Sequence, residues 1–104
     1  LTNLIMNSLI HAFEPEKEGI IKIAIWKENE LANIIFSDNG SGISKENIKK
    51  IFEPFFTTKR GYGGTGLGLH IVFNIINRQM LGTIECDSEI GVGTKFIIKF
   101  PIMI

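Results

Sequence analysis

Cysteine occurs once in the 104 residues, at Cys86. One thiol excludes an intrachain disulfide framework and fits a reducing compartment. An excess of charge of either sign is also missing, since eleven Lys and Arg balance eleven Asp and Glu. Such a balance argues against a general binder of nucleic acid or of anionic membranes, which needs a basic surplus. No apolar run approaches the roughly 20 residues of a membrane helix, and no signal-peptide pattern opens the chain. The expectation is a cytoplasmic stretch with no nucleic-acid partner and no membrane contact of its own. What the chain does have is a 44% hydrophobic composition, with twenty isoleucines and eight phenylalanines. That is enough to fill the core of one domain and too much for disorder. Eleven glycines are spread unevenly, nine of them within 40–42, 61–68 and 91–93.

Helical spacing starts at the first residue, with Leu1, Leu4, Ile5, Leu9 and Phe13 on one stripe and no initiator methionine. The sequence is therefore expected to be an excised piece of a longer protein, cut at or inside a helix. Pro15 and the charges of 14–19 end that helix. Ile20–Trp26 alternates, which predicts a strand burying Ile21, Ile23 and Ile25. After a polar turn at Lys27–Glu30, Leu31–Ser37 predicts its antiparallel hairpin partner. Ser44 suits the N-cap of a short helix over Lys45–Ile51. Pro54–Gly66 has no period and predicts a long loop of the kind that carries function. Leu67–Met80 predicts a helix ended by Gly82, and Thr83–Ser88 and Thr94–Ile102 two strands around Gly91-Val92-Gly93. The order α-β-β-α-loop-α-β-β predicts an α/β fold of the α+β kind. It would be a two-layer sandwich, with a mixed, mostly antiparallel sheet and helices on one face.

Three patterns carry chemistry. Asn3 and Asn7 stand one helical turn apart, so their amides share a face about 5–6 Å apart. They are either a pair of surface amides or neutral oxygen ligands of the kind Mg²⁺ accepts beside water and phosphate. Asp38-Asn39-Gly40-Ser41-Gly42-Ile43 directly follows a strand. It reads as a turn, or as a strand-end carboxylate that accepts the exocyclic amine of adenine above glycines lying flat against a ligand. Gly61-Tyr62-Gly63-Gly64-Thr65-Gly66-Leu67-Gly68-Leu69 runs straight into a helix, whose first amides form an anion site. From Pro54 to Ile84 there is no acidic residue, whereas Lys59, Arg60 and Arg78 lie in that span, so the stretch has room for phosphate. The P-loop pattern fails for want of its lysine. Gly61, Gly63 and Gly66 keep a dinucleotide spacing, with Glu85 and Asp87 about 20 residues on, but polar Thr57–Arg60 stands where a buried strand is required.

These residues resemble the ATP-binding catalytic domain of sensor histidine kinases, within the superfamily of gyrase, chaperone and mismatch-repair ATPases (the Bergerat fold). Asn3–Ser8 resembles the N box and Asp38–Ile43 the first glycine box. Ile51–Lys59 is similar to the F box, Gly64–Leu69 to the second glycine box, and Gly91–Thr94 to the closing one. The resemblance implies ATP and Mg²⁺ as cofactors. Asn3 and Asn7 become the catalytic pair, with Asn7 the metal ligand, Asp38 the adenine hook, and Gly42 the close approach to the base. Gly64, Gly66 and Gly68 would hold phosphates, and Pro54–Thr65 would form an ATP lid anchored by Phe52, Phe55 and Phe56. The implied nucleotide-contacting set extends to His11, Gly40, Ile43, Thr58, Lys59, Arg60, Thr65, Leu67 and Leu69, with Thr94 assisting at adenine through water.

Asn3 discriminates within the superfamily. Its hydrolases carry a glutamate there as general base, and an amide has no basic lone pair at neutral pH. The implied reaction is transfer of the γ-phosphoryl to a histidine on a separate dimerisation domain of a homodimeric parent, with a response regulator downstream. The alternatives are a regulatory nucleotide-binding module, an ATPase or anti-sigma-type serine kinase of the same superfamily, and, more distantly, a dinucleotide-dependent oxidoreductase. Two departures stand out. Ile10 occupies the place of a common lysine, which leaves phosphate contact to Lys59, Arg60, His11 or backbone. Neither His11 nor His70 precedes an acid, as the family's phosphorylated histidine does. His70 is expected at a partly exposed helix position, Trp26 and Tyr62 as packing and lid residues, and Cys86 as a small buried hydrophobe.

Overall fold

The computed structural model describes residues 19–54, 56 and 68–102. The N-terminal stretch with Asn3, Asn7 and His11 lies outside the described residues, as do Phe55, Thr58, Lys59, Arg60, Tyr62, Gly64, Thr65, Gly66 and Leu67.

The first hairpin is built locally. β1 (Ile21–Glu28) and β2 (Leu31–Asp38) pair antiparallel along their whole length, from Ile21↔Asp38 to Glu28↔Leu31. The turn is only two residues, Asn29 and Glu30, at φ 52 and 63. Left-handed backbone at both positions matches the twist of the flanking strands, so Lys27 and Glu28 join the ladder instead of the expected wider turn. Ser44 caps α1 (Lys45–Ile48), its Oγ accepting the Asn47 N–H at 3.2 Å. The helix stops short of the expected Ile51 because Lys50 N–H bonds back to Asn47 O at 2.8 Å and tightens the turn. That turn drives Ile51 into the core.

α2 (Gly68–Asn74) widens into a π-helical turn over Ile75–Gln79, where a regular α-helix to Met80 was expected. Met80 N–H reaches Ile75 O at 3.0 Å and Gly82 N–H reaches Ile76 O at 2.8 Å. Leu81, at φ 55, makes the left-handed exit that the sequence pattern assigns to Gly82. β3 (Thr83–Glu89) and β4 (Gly93–Pro101) form the second hairpin. The sheet order is β1-β2-β4-β3, and every described pairing is antiparallel rather than mixed. Within each hairpin the short turn forces that sense, since parallel neighbours need a crossover, and β2 and β4 join the two hairpins antiparallel without a short connection.

The core lies on one face of the sheet. Phe36, Ile84, Phe96 and Ile98 alternate inward from three strands and meet Ile51, Leu69 and Ile76 from the helical layer. Ile23 and Ile25 share the face of Phe36 and Ile34 by register, yet they are 43% and 64% exposed. The expected burial of β1 is therefore met only in part, at Ile21, because the described helical layer packs at the opposite edge of the sheet, against β3. Trp26 is likewise exposed, its indole N–H on Glu28 Oε2 at 3.4 Å, and is not the packing residue expected.

Candidate functional site

β2 ends at Asp38, and the chain then turns across the end of the sheet through Asn39–Ile43. Five hydrogen bonds pin this loop. Asp38 Oδ1 accepts the Gly40 N–H at 3.0 Å, a tight carboxylate turn. Asn39 Oδ1 accepts Ile20 N–H at 2.7 Å, and Asn39 N–H donates to Ile20 O at 3.2 Å, which ties the loop to the start of β1. Gly91 N–H donates to Ser41 O at 2.9 Å, and Ile43 N–H donates to Ser88 Oγ at 2.8 Å, which tie it to the second hairpin.

Two glycines are required by this closeness. Gly42 sits at φ 82, and a Cβ there would overlap the Glu89 carbonyl oxygen. Gly93 sits at φ 146, and a Cβ there would overlap the carbonyl oxygen of Asp38 itself. Both glycines let the closing turn of β3–β4 press against the Asp38 loop. A strand-end carboxylate held this way is an acceptor of fixed position, suited to an amine donor.

Thr94 is 5% exposed and lies opposite Asp38 in the ladder. Its Oγ1 is 2.9 Å from Ser88 Oγ, which in turn donates to Gly93 O at 2.8 Å. Sequence reasoning missed Ser88. The signal was there: Ser88 continues the alternate positions of Ile84 and Cys86, a polar residue on the apolar face of β3.

The other described candidates lie in the same loop, in the core or in the helical layer. Ile43 is partly buried against the core and Leu69 is within it, fastening α2 to the sheet. Gly40 is buried in the loop, and Gly68 opens α2. The Phe52 ring stacks on Phe73 at 5.3 Å between centroids and meets Phe96 edge-on at 6.3 Å. Phe56 also packs against this cluster. His70 is more engaged than a partly exposed helix position suggests. Its Nδ1 lies 3.1 Å from Phe52 O, and its Nε2 lies 3.1 Å from Asn74 Nδ2. A carbonyl only accepts, so Nδ1 carries the proton and Nε2 accepts from the amide. Burial, with the Asp87 and Asp38 carboxylates adding to it, pushes the Cys86 thiol up to about 12. That is an inert thiol on the core side of β3, as expected of a small buried residue.

Asp38, Gly40, Gly42, Ile43 and Thr94 thus converge at one end of the sheet. Among the described residues no cluster of His, Cys, Asp and Glu is built to hold a metal.

Comparison with known proteins bears on this arrangement. Sensor protein RprX of Bacteroides fragilis is 40% identical over 110 residues, covering 99% of this chain and 21% of that protein. Sensor histidine kinase ZraS of Escherichia coli is 35% identical over 105 residues, covering 100% of this chain and 22% of its own. The chain thus spans about a fifth of these curated relatives. In three dimensions it superposes on the nucleotide-free catalytic domain of histidine kinase ThkA with a TM-score of 0.77 and 36% identity, over 95% of this chain and 61% of that one. The family model of histidine kinase-, DNA gyrase B- and HSP90-like ATPases matches residues 1–104. With its antiparallel sheet, its helices on one face and its strand-end aspartate, the chain belongs to that family of ATPases.

Proposed function

We propose that this chain binds Mg–ATP and presents it for transfer of the γ-phosphoryl to a histidine on a separate dimerisation domain of a longer, homodimeric kinase. The observation that carries the reading is Asp38, fixed at the end of β2 by the Gly40 N–H beside buried Thr94. Two acceptor side chains next to each other fit the amine edge of adenine. Asp38 would accept that amine, while Gly42 and Ile43 floor the site.

The phosphate end rests on family resemblance at Gly64, Gly66, Gly68 and Lys59, and the metal on Asn7. Bound Mg²⁺ supplies charge neutralisation at the phosphates. Asn3, an amide where hydrolases carry a base, keeps water inactive, so the nucleotide waits for its acceptor. Phosphoryl transfer depends mainly on positioning and charge, which a base-poor site can provide.

Neither nitrogen of His70 is open to phosphorylation while Phe52 O and Asn74 hold them. This supports an acceptor histidine elsewhere in the parent protein. A response regulator would then take the phosphoryl group. Among the described residues no helix is long and apolar enough to cross a membrane, and the proposed location of this stretch is cytoplasmic.

Calorimetry with Mg–ATP tests the binding. Micromolar-range affinity is expected, lost at least tenfold in Asp38→Ala, which removes a hydrogen bond to a charged group. Unchanged affinity in that variant refutes the adenine assignment. Joining the chain to its native upstream helices and adding γ-labelled ATP tests the transfer. An acid-labile phosphoprotein is expected, and its absence with nucleotide bound leaves a regulatory binding module instead.

A further inference from the structure

One row of side chains crosses three strands at the site end of the sheet. The ladder pairs Asp38 with Thr94 and Thr94 with Ser88. Directly opposed residues of antiparallel strands point to one face. All three side chains therefore lie on the face of Phe36, Phe96 and Ile84.

The hydrogen bonds of this row decide where a proton sits. Ser88 Oγ gives its only proton to Gly93 O at 2.8 Å and receives the Ile43 N–H at 2.8 Å. A hydroxyl donates once and accepts twice. The 2.9 Å contact between Ser88 Oγ and Thr94 Oγ1 must then use the proton of Thr94. Thr94 is fixed by burial, and its hydroxyl proton points along the row toward β3, away from Asp38. What it has left to offer on the Asp38 side is lone pairs.

We propose that Ser88 is a positioning residue of the nucleotide site: by taking the Thr94 proton it makes Asp38 and Thr94 an acceptor-only pair, and so sets a preference for 6-aminopurines over 6-oxopurines. The proposal rests on Asp38 being the base-reading residue. An amine at C6 meets acceptors. A carbonyl at C6 meets lone pairs with no donor to turn toward it. Without Ser88 the Thr94 hydroxyl is free to rotate and donate, which relieves that mismatch.

The test is calorimetry of this chain with ADP and with IDP, in the parent sequence, Ser88→Ala and Ser88→Thr. The parent is expected to favour ADP. Ser88→Ala should shrink the ADP-to-IDP affinity ratio about tenfold, the worth of one neutral hydrogen bond. Ser88→Thr keeps the hydroxyl and should restore the ratio. Equal losses for both nucleotides in Ser88→Ala overturn the proposal while leaving Asp38 in its role. A parent chain that binds neither nucleotide overturns the nucleotide site and the proposal together. A second measurement needs no variant: the Thr94 hydroxyl proton, observed by NMR in the parent chain, should show cross-relaxation to the Ser88 side chain. Cross-relaxation to Asp38 instead overturns the proposal.

Discussion

Replacing Gly93 by alanine should cost about 3 kcal/mol of stability, about half of it from contact with Asp38. Gly93 sits at φ 146, where an L-residue is strained by about 1–2 kcal/mol. A Cβ there would also overlap the Asp38 carbonyl oxygen, so β2 and β4 must part at their site end. Parting them gives up one or two ladder hydrogen bonds, each worth about 1 kcal/mol. Gly91 provides the control, since its φ is 84 but a Cβ there meets nothing within 4 Å. Gly91→Ala should therefore lose only the conformational part, about 1 kcal/mol. Urea unfolding followed by far-UV circular dichroism reads both variants on one scale. For a domain of this size Gly93→Ala should lower the midpoint temperature by roughly 15 °C, against about 5 °C for the control. If the two variants agree within about 0.5 kcal/mol, the close approach to Asp38 is not what demands glycine at position 93.

Three further outcomes follow from burial. Phe36 is fully buried at the centre of the core, and Phe36→Ala should cost about 3–5 kcal/mol in the same urea assay; a loss under about 1 kcal/mol contradicts the packing described. The Cys86 thiol is raised from 9.0 to about 12, so it remains neutral in the native state where the unfolded chain ionises. The stabilising contribution is complete below pH 9 and is lost as pH rises from 9 toward 12. Between pH 8 and 10 the parent chain should therefore lose stability faster than Cys86→Ala, and parallel pH profiles refute this. Alkylation of Cys86 at pH 8 should likewise be slow until urea unfolds the chain.

Much of the fold was legible because its signals are short-range. The strand runs at Leu31–Ser37 and Thr94–Ile102, the Ser44 cap and the glycines around Val92 are properties of neighbours in sequence. The same reasoning failed where partners are distant. Ile23 and Ile25 alternate as a buried strand should, but which strands the helical layer covers decides burial, since β3 is an edge strand too and buries Ile84, and that cover is invisible to a period of two. His70 looked unremarkable because its partner, the Phe52 carbonyl, comes from a loop eighteen residues away. The π-helical turn at Ile75–Gln79 keeps an apolar helical spacing, so nothing in composition separates it from an α-helix.

By itself the sequence determined the family, through the order and spacing of its glycine boxes, and placed Asp38, the residue proposed to read adenine, at a strand end. Those are facts of covalent order and local propensity. The tertiary structure alone decided that β4 lies between β2 and β3, although β2 and β4 are more than fifty residues apart in the chain. That placement aligns Asp38, Thr94 and Ser88 in one row and puts the Thr94 and Ser88 hydroxyls within hydrogen-bond distance. The physical reason is that register between distant strands is chosen by burial and backbone hydrogen bonding across the whole sheet, which no local window of residues contains.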